Sequence, residues 1–156
     1  MKIVSGEAFI VVGLQARTSN AQEMTREAVI PQQWEQLMKS NALERISNRI
    51  DSSIIALYTD YESDANGDYT YLLGVKVSSV ADVPPEMTVK EAPSGSYAVI
   101  VSELGPVAEV VVGAWKRIWA DSELSARRNY AADFEVYDHR AANPQSAQVD
   151  VYVGIK

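Results

Sequence analysis

The chain has 156 residues, a formal net charge of −7, a hydrophobic fraction of 47% and no cysteine. This length suits one compact domain with a sizeable core, and the lack of cysteine excludes disulfides, thiolate metal sites and a cysteine nucleophile. Because the chain is acidic and its basic residues are scattered, we expect no direct nucleic-acid binding. The sequence shows no signal peptide and no apolar run of membrane-spanning length, so we expect a cytoplasmic protein without membrane contact.

The first half of the chain predicts a strand, two helices and a hairpin. The apolar run from Phe9 to Leu14 is typical of a buried strand. Asn20 stands in a cap-forming segment, and Pro31 fits the first turn of a helix, where a proline loses no hydrogen bond. Asn66-Gly67 lies in a polar turn between two strand patterns, which indicates a hairpin. The predicted elements are a strand over 3–17, helices over 21–28 and 31–40, and strands over 54–61 and 69–77.

The second half predicts a similar succession after a linker over 78–86 that contains Pro84-Pro85. Its helix opens at Gly105-Pro106, and Trp115 and Trp119 belong to an apolar helical stripe, which favours a place in the core. The predicted elements are strands over 87–92 and 97–103, a helix over 105–120, a polar loop over 122–129, a strand over 132–137, a turn over 139–145 and a strand over 149–155.

The two halves also match in sequence. Three matches occur in the same order: Trp34 over Trp115, Thr59 over Glu135 within an alignment of 56–62 with 132–138, and 73–76 over 153–156. Their common order indicates an internal duplication. We therefore predict a single domain over 1–156 that consists of two repeats, over 1–80 and 86–156.

The predicted fold class is α+β, with tandem duplicated β-α-β-β units of the SHS2-like type related by a pseudo-two-fold axis. Helices that follow this pattern cover one face of the antiparallel sheets. We expect the other face to form a ligand cleft between the repeats, because grooves between equivalent halves are favoured ligand sites.

The stretch from Ala131 to Asp138 contains the strongest candidate for a binding residue. Its alternation puts Phe134 and Val136 on one face of a strand, and Asp133, Glu135 and Tyr137 on the other. If the second face is concave and partly dry, the carboxylate of Glu135 is its main electrostatic feature. A carboxylate in an apolar cup can pair with an organic cation, to which aromatic rings add cation–π attraction.

Several segments together resemble the effector-binding domains of the GyrI-like (gyrase-inhibitor-like) superfamily, which are fused to many AraC-type and MerR-type regulators of drug response. The matching segments keep the family's order: Val12 to Asn20, Ile30 to Trp34, Tyr58 to Asp64, Gly67 to Thr70 and Asp133 to Tyr137. The resemblance runs essentially from end to end. Since no helix-turn-helix is present, the chain is similar to the stand-alone drug-binding modules of integron gene cassettes.

The resemblance implies a stand-alone domain that binds a small lipophilic cation at a buried glutamate. By its position Glu135 corresponds to that glutamate, Tyr152 on the partner strand to a cleft aromatic, and the segment before Trp34 to a mobile cover. The full set of predicted ligand-binding residues is Glu135, Tyr137, Tyr152, Trp34, Tyr61, Thr59 and Met24.

Two further functions stay open at this point. One is a protein-interaction module, either a DNA gyrase inhibitor or a detached sensor of a transcription regulator, acting as a monomer or a homodimer. The other is a small-molecule hydrolase in which a cleft Glu and a Tyr act as acid and base. His139 is the only histidine, so no triad and no His-based metal site can be built. We therefore assign no catalytic residue, no metal ligand and no cofactor.

Overall fold

A computed structural model describes residues 2–156, which form an eight-stranded antiparallel sheet with four helices. The strands are β1 (Lys2–Gly6), β2 (Phe9–Ser19), β3 (Ile54–Thr59), β4 (Asp68–Val77), β5 (Thr88–Ala92), β6 (Gly95–Val101), β7 (Arg128–Tyr137) and β8 (Asp150–Ile155). The helices are α1 (Asn20–Glu23), α2 (Ile30–Lys39), α3 (Val107–Ala120) and α4 (Ser122–Arg127), with 3₁₀ turns at Leu43–Arg45 and His139–Ala141. In the described residues, no helix combines the length and apolar character needed to cross a membrane.

The strand order is β1-β6-β8-β7-β3-β4-β2-β5, so the two halves of the chain meet at the pair β3–β7 in the middle of the sheet. In this pair Ala56 lies opposite Glu135. The two outer strands are exchanged between the halves. β1 belongs to the first half by sequence and pairs with β6, whereas β5 belongs to the second half and pairs with β2.

The helices pack on one face of the sheet, which we call the helix-bearing face. Leu37 of α2 and Ile118 of α3 join the same buried cluster as Ala56, Tyr58 and Tyr71 of the central strands. α2 begins at Ile30 and Pro31 because the carboxylate of Glu23 accepts the backbone N–H of Val29 at 2.9 Å and of Ile30 at 3.1 Å. The end of α1 thereby holds the start of α2 in place.

The opposite face carries no helix and has its own smaller core around Phe134. Phe9 of β2 meets Phe134 of β7 at 5.0 Å between ring centroids, although two strands separate β2 from β7 in the sheet. Because neighbouring strands lie about 4.8 Å apart, this contact requires the sheet to curl toward the helix-free side. Tyr97 and Tyr152 complete the aromatic cluster.

The predicted α+β class and the antiparallel sheet are confirmed, and four details of the prediction are wrong. The segment 3–17 is two strands, and the predicted loop over 122–129 contains α4, whose N–H of Leu124 is capped by Asp121. Trp119 is 43% exposed rather than part of the core. Most importantly, Glu135 does not lie on the helix-free face; it lies on the face that carries α2 and α3.

Candidate functional site

Glu135 is buried beneath both helices and is 1% exposed. Its Oε2 accepts hydrogen bonds from the hydroxyl of Tyr58 at 2.7 Å and from Nε1 of Trp115 at 2.6 Å. Its Oε1 accepts a hydrogen bond from the hydroxyl of Tyr137 at 2.6 Å. All three donors are neutral, so the carboxylate is hydrogen-bonded without meeting a cationic side chain.

Four elements bring these groups together. β7 supplies Glu135 and Tyr137 as alternate residues on one face, and the neighbouring β3 supplies Tyr58. Trp115 reaches the carboxylate from α3. Trp34 of α2 packs edge-on against Tyr137, with 4.6 Å between ring centroids. α2 and α3 therefore each direct one tryptophan to the middle of the sheet.

Trp34 and Tyr137 form the outer layer of this site. Both are only partly buried, whereas Glu135 below them is fully covered. Nε1 of Trp34 donates to the hydroxyl of Tyr71 at 3.0 Å, and Tyr71 in turn packs against Tyr58 at 5.2 Å between centroids. The carboxylate is thus surrounded by aromatic rings, and Trp34 packs on the outer one, Tyr137.

The electrostatics of the site follow from its burial. Burial raises the pKa of Glu135 above its ordinary value of 4.5, although the hydrogen bonds from Tyr137, Trp115 and Tyr58 oppose this shift. Burial, followed by the nearby Glu135 carboxylate, raises the pKa of Tyr58 and of Tyr137 well above the ordinary value. The tyrosines therefore remain neutral donors, and the negative charge of Glu135 is stabilised by dipoles alone.

A second buried carboxylate lies beside the first. The carboxylate of Asp133 accepts hydrogen bonds from Nη2 of Arg128 at 2.7 Å, from the backbone N–H of Gly154 at 2.8 Å and from the hydroxyl of Tyr61. A β-bulge between Arg128 and Asp133, with Tyr130 at a φ of 53°, lets both ends of the ion pair point to the same place. Asp133 therefore has a full counter-charge, and Glu135 does not.

The structure brings some of the predicted site residues together with Glu135. Tyr137 donates to the carboxylate directly, Trp34 packs against Tyr137, and Tyr61 donates to the neighbouring Asp133. The sequence had also predicted that Asp133, Glu135 and Tyr137 share one face. That grouping is confirmed by the register of β7 against β3.

Three predicted residues do not share this site. Tyr152 is the strand partner of Phe134 and stacks on it at 4.5 Å between centroids, which places it on the helix-free face. Thr59 follows Tyr58 in β3 and points to the same helix-free side, with its hydroxyl donating to the carbonyl of Ala131. Met24 is 85% exposed in the turn before α2. The structure therefore does not bring these three residues together with Glu135, and their role in ligand binding stays a prediction.

The misplaced Thr59 has a simple cause. Strand residues alternate between faces, so a helix-facing residue in one half can only correspond to a helix-facing residue in the other. Glu135 faces the helices, and in β3 this is true of Tyr58 rather than Thr59. If the halves are superposed with Gly74 over Gly154, Tyr58 takes the place of Glu135, and the alignment used above is one residue out of register.

Sequence reasoning also missed Tyr58, Tyr71 and Trp115. All three were visible as aromatic residues, and Tyr58 and Tyr71 are in fact cross-strand partners. The usable signal was the pairing of Tyr58 with Tyr71 across the predicted hairpin, since directly opposite residues point to the same face of a sheet. Trp115 was assigned to the core because of its helical stripe, and it is buried there, but its Nε1 needs an acceptor and finds Glu135.

No group of three or more His, Cys, Asp or Glu side chains suited to a metal ion occurs within residues 2–156. The two buried carboxylates, Glu135 and Asp133, instead accept hydrogen bonds from the side-chain and backbone donors described above. The arrangement suits recognition of an organic group by charge and aromatic contact, rather than metal coordination.

The eight-stranded antiparallel sheet with its helices on one face matches the fold of GyrI-like effector-binding domains. The chain belongs to the Cass2 family of integron-associated effector binding proteins, whose family model matches residues 2–155. The resemblance inferred from the sequence is therefore confirmed. An effector-binding family also agrees with the prediction of a binding domain rather than an enzyme.

Two curated proteins illustrate the family's context. The chain is 43% identical to YobU of Bacillus subtilis, which carries the provisional name of a transcriptional regulator protein; the match covers 92% of this chain and 90% of YobU. It is 27% identical to the transcriptional regulator BrlR of Pseudomonas aeruginosa, with 99% of this chain and 54% of BrlR covered. The chain thus corresponds to about half of BrlR.

Solved structures share the fold over almost the whole chain. The integron cassette protein VCH_CASS2 from the mobile metagenome of Vibrio cholerae has a TM-score of 0.79 and 26% identity, covering 99% of this chain and 95% of its own. SAV2435, solved bound to tetraphenylphosphonium, has a TM-score of 0.80 and 15% identity, covering 99% and 93%. At that identity the second likeness concerns the fold alone.

Proposed function

We propose that the protein binds a lipophilic organic cation between α2 and α3, with the positive charge of the ligand facing Glu135. The observation that carries this proposal is the carboxylate itself, which is 1% exposed and receives only neutral donors. A buried charge without a counter-ion is costly, and a cation that enters the site removes that cost. The tetraphenylphosphonium bound to SAV2435 is a ligand of this chemistry.

The surrounding rings favour a cation with an apolar surface. Tyr58, Tyr137 and Trp115 each hold one hydrogen-bond donor on the carboxylate and present the rest of the ring to the interior. An aromatic face attracts a cation by about 0.5–1 kcal/mol at an exposed site and by about 2 kcal/mol or more at a desolvated one. A ligand without hydrogen-bond donors, such as a phosphonium or quaternary ammonium ion, loses little hydration when it enters.

Entry requires movement of the outer layer. Trp34 gives up its hydrogen bond to Tyr71 and its contact with Tyr137, and both losses are small compared with a charge–charge contact in a dry site. The ligand then takes the position of the Trp34 ring above Tyr137. A protein partner, such as a regulator or gyrase, and a cytoplasmic location remain predictions that this proposal does not require.

The experiment uses ligands of one shape and different charge. Tetraphenylphosphonium and tetraphenylborate have nearly the same size and surface and opposite charge. Isothermal titration of the protein should give micromolar or tighter binding of the phosphonium and at least about a hundredfold weaker binding of the borate. Triphenylphosphine oxide, which is neutral, should fall between them.

Equal affinity for the phosphonium and the borate would show that the protein binds bulky apolar molecules without regard to charge. If none of these three compounds binds, and a set of larger cationic dyes does not bind either, the proposed function is excluded. Quenching of tryptophan fluorescence provides a second readout, because Trp34 and Trp115 both lie at the proposed site.

A further inference from the structure

Two carboxylates lie side by side on the helix-bearing face of β7, and each is framed by aromatic rings. Asp133 and Glu135 are alternate residues of one strand, so their α-carbons lie about 7 Å apart. Trp115 belongs to both surroundings. Its Nε1 donates to Glu135 at 2.6 Å, and its ring lies 5.8 Å from Cζ of Arg128, the partner of Asp133.

The two surroundings differ in what meets the carboxylate. At Asp133 the guanidinium of Arg128 donates at 2.7 Å and lies 4.4 Å from the ring centroid of Tyr130. A cation against a carboxylate and two aromatic rings is the environment proposed above for the ligand. At Glu135 the hydrogen-bond partners are two tyrosines and one tryptophan, and a positive group from the chain is not among them.

The backbone is shaped to put Arg128 there. Residues 128 and 133 are separated by an odd number and would face opposite sides of a regular strand. The bulge between them and the positive φ of Tyr130 turn Arg128 back onto the helix-bearing face. The guanidinium is almost fully buried, and its Nε has no hydrogen-bond partner among the described residues. A buried donor without a partner is costly, which makes a purely stabilising role a poor explanation.

We propose that Arg128 is a specificity-determining residue that fills a second cation subsite at Asp133, so that the site accepts ligands with one positive charge and rejects dications. The inference rests on the proposed function, in which Glu135 receives the first charge. The second charge of a dication would meet Arg128 or remain unpaired in a low-dielectric interior, and either outcome is unfavourable. Selectivity against dications then comes from a repulsive group supplied by the chain.

The test compares two ligands of the same two-ring shape. N-methyl-4-phenylpyridinium carries one charge, and N,N′-dimethyl-4,4′-bipyridinium carries two at opposite ends. By isothermal titration the wild-type protein should bind the monocation at least about tenfold more tightly than the dication. The ratio of the two dissociation constants is the measured quantity, because it cancels general losses of affinity.

Two variants should move this ratio in opposite directions. Arg128→Met frees the carboxylate of Asp133 for a second charge, so we expect the preference for the monocation to fall by about tenfold or more. Asp133→Asn leaves Arg128 without its counter-ion, so the preference should widen. Arg127→Met removes an equal charge from the exposed neighbouring residue and should leave the ratio unchanged.

Circular dichroism establishes which variants fold, and either Arg128→Met or Asp133→Asn alone can decide. The inference is overturned if the wild type binds both ligands equally, or if the ratio in the folded variant equals that of Arg127→Met. These results leave the proposed function intact, since the monocation still binds. If the wild type binds neither these ligands nor tetraphenylphosphonium, the proposed function fails, and the role of Arg128 fails with it.

Discussion

Glu135 is a carboxylate that the fold solvates with two hydroxyl groups and one indole N–H. Replacing it with Gln keeps the shape and removes the charge. The hydroxyl of Tyr137 can turn to accept from the new amide, while Tyr58 and Trp115 still donate to its oxygen. We expect Glu135→Gln to weaken binding of tetraphenylphosphonium by about 1–3 kcal/mol, the scale of a lost charged partner. Calorimetric titration measures this loss.

The matched control for this variant is Glu91→Gln, which removes the same charge from an exposed position on the edge strand β5. It should leave the affinity within about a factor of two of the wild type, since exposed charges this far away are screened. A neutral ligand of similar shape should lose much less than the cation on Glu135→Gln. Equal losses for both ligands would mean that Glu135 shapes the site without selecting charge.

The raised pKa of Glu135 also predicts a pH dependence. Burial is the main cause of the shift, and the ordinary value is 4.5. Between that value and the raised one, the folded state holds a proton that the unfolded state has released, so the free energy of unfolding falls as the pH rises through this window. Binding of a cation favours the ionised form, so affinity should rise with pH through the raised pKa and then level off.

Thermal unfolding and titration over an acidic to neutral series measure both trends, with Glu135→Gln as the reference. The variant should show no rise of cation affinity in this window, and at neutral pH it should be at least as stable as the wild type. A wild-type affinity that follows the variant at every pH would exclude Glu135 as the titrating group.

At the site, the sequence predicts single-strand features better than features between elements. The alternation in Asp133, Glu135 and Tyr137 depends on local geometry, so their shared face is correctly predicted. Which face the helices cover is set by the packing of α2 and α3, and alternation along one strand cannot reveal it. For the same reason the sequence could not show that Tyr152, the strand partner of Phe134, lies on the helix-free face.

Among the elements, α2 carries Trp34, which packs on Tyr137 in the outer layer of the site, and the start of α2 depends on few interactions. The turn from Met24 to Val29 is largely exposed, and the Glu23 carboxylate holds both the hydroxyl of Thr18 at 2.5 Å and the first N–H groups of α2. Regions with exposed hydrogen bonds and little apolar burial open most easily. Movement of Trp34 is therefore expected to begin from this end of α2.

We predict that amides over 21–29 exchange faster than amides over 33–39 without ligand, and that tetraphenylphosphonium protects them. Hydrogen exchange followed by mass spectrometry measures both segments in one experiment. The exposed turn over 143–146 serves as a control and should not change on ligand addition. Equal protection of the two segments in the free protein would contradict a mobile cover.

The element predictions succeeded where local signals were strong. The hairpin β3–β4 follows from two strand patterns around Asn66-Gly67, and α3 follows from Gly105-Pro106 and a long apolar stripe. α4 was missed because six residues give no visible periodicity, although Asp121 is a typical cap before Ser122. The division between β1 and β2 was missed because it depends on which strands they pair with, and those partners lie far along the chain.

For the whole molecule, the site lies where the halves meet. β3 from the first half and β7 from the second pair in the middle of the sheet, and each half contributes one helix and one tryptophan to the cover. The sequence match between the halves predicts a near-symmetric frame, and superposition of Gly74 on Gly154 puts Tyr58 at the position equivalent to Glu135. At these equivalent positions the first half therefore carries a hydroxyl and the second half a carboxylate, so the proposed site is asymmetric in charge.

The exchanged outer strands have a consequence for how the protein unfolds. Because β1 completes the sheet of the second half and β5 that of the first, neither half can lose its structure without stripping an edge from the other. We therefore expect one cooperative transition in calorimetry, with equal calorimetric and van't Hoff enthalpies, despite the linker at Pro84-Pro85. Two resolved transitions would contradict this. The start of α2 and Trp34 can then move locally, while the sheet unfolds only as a whole.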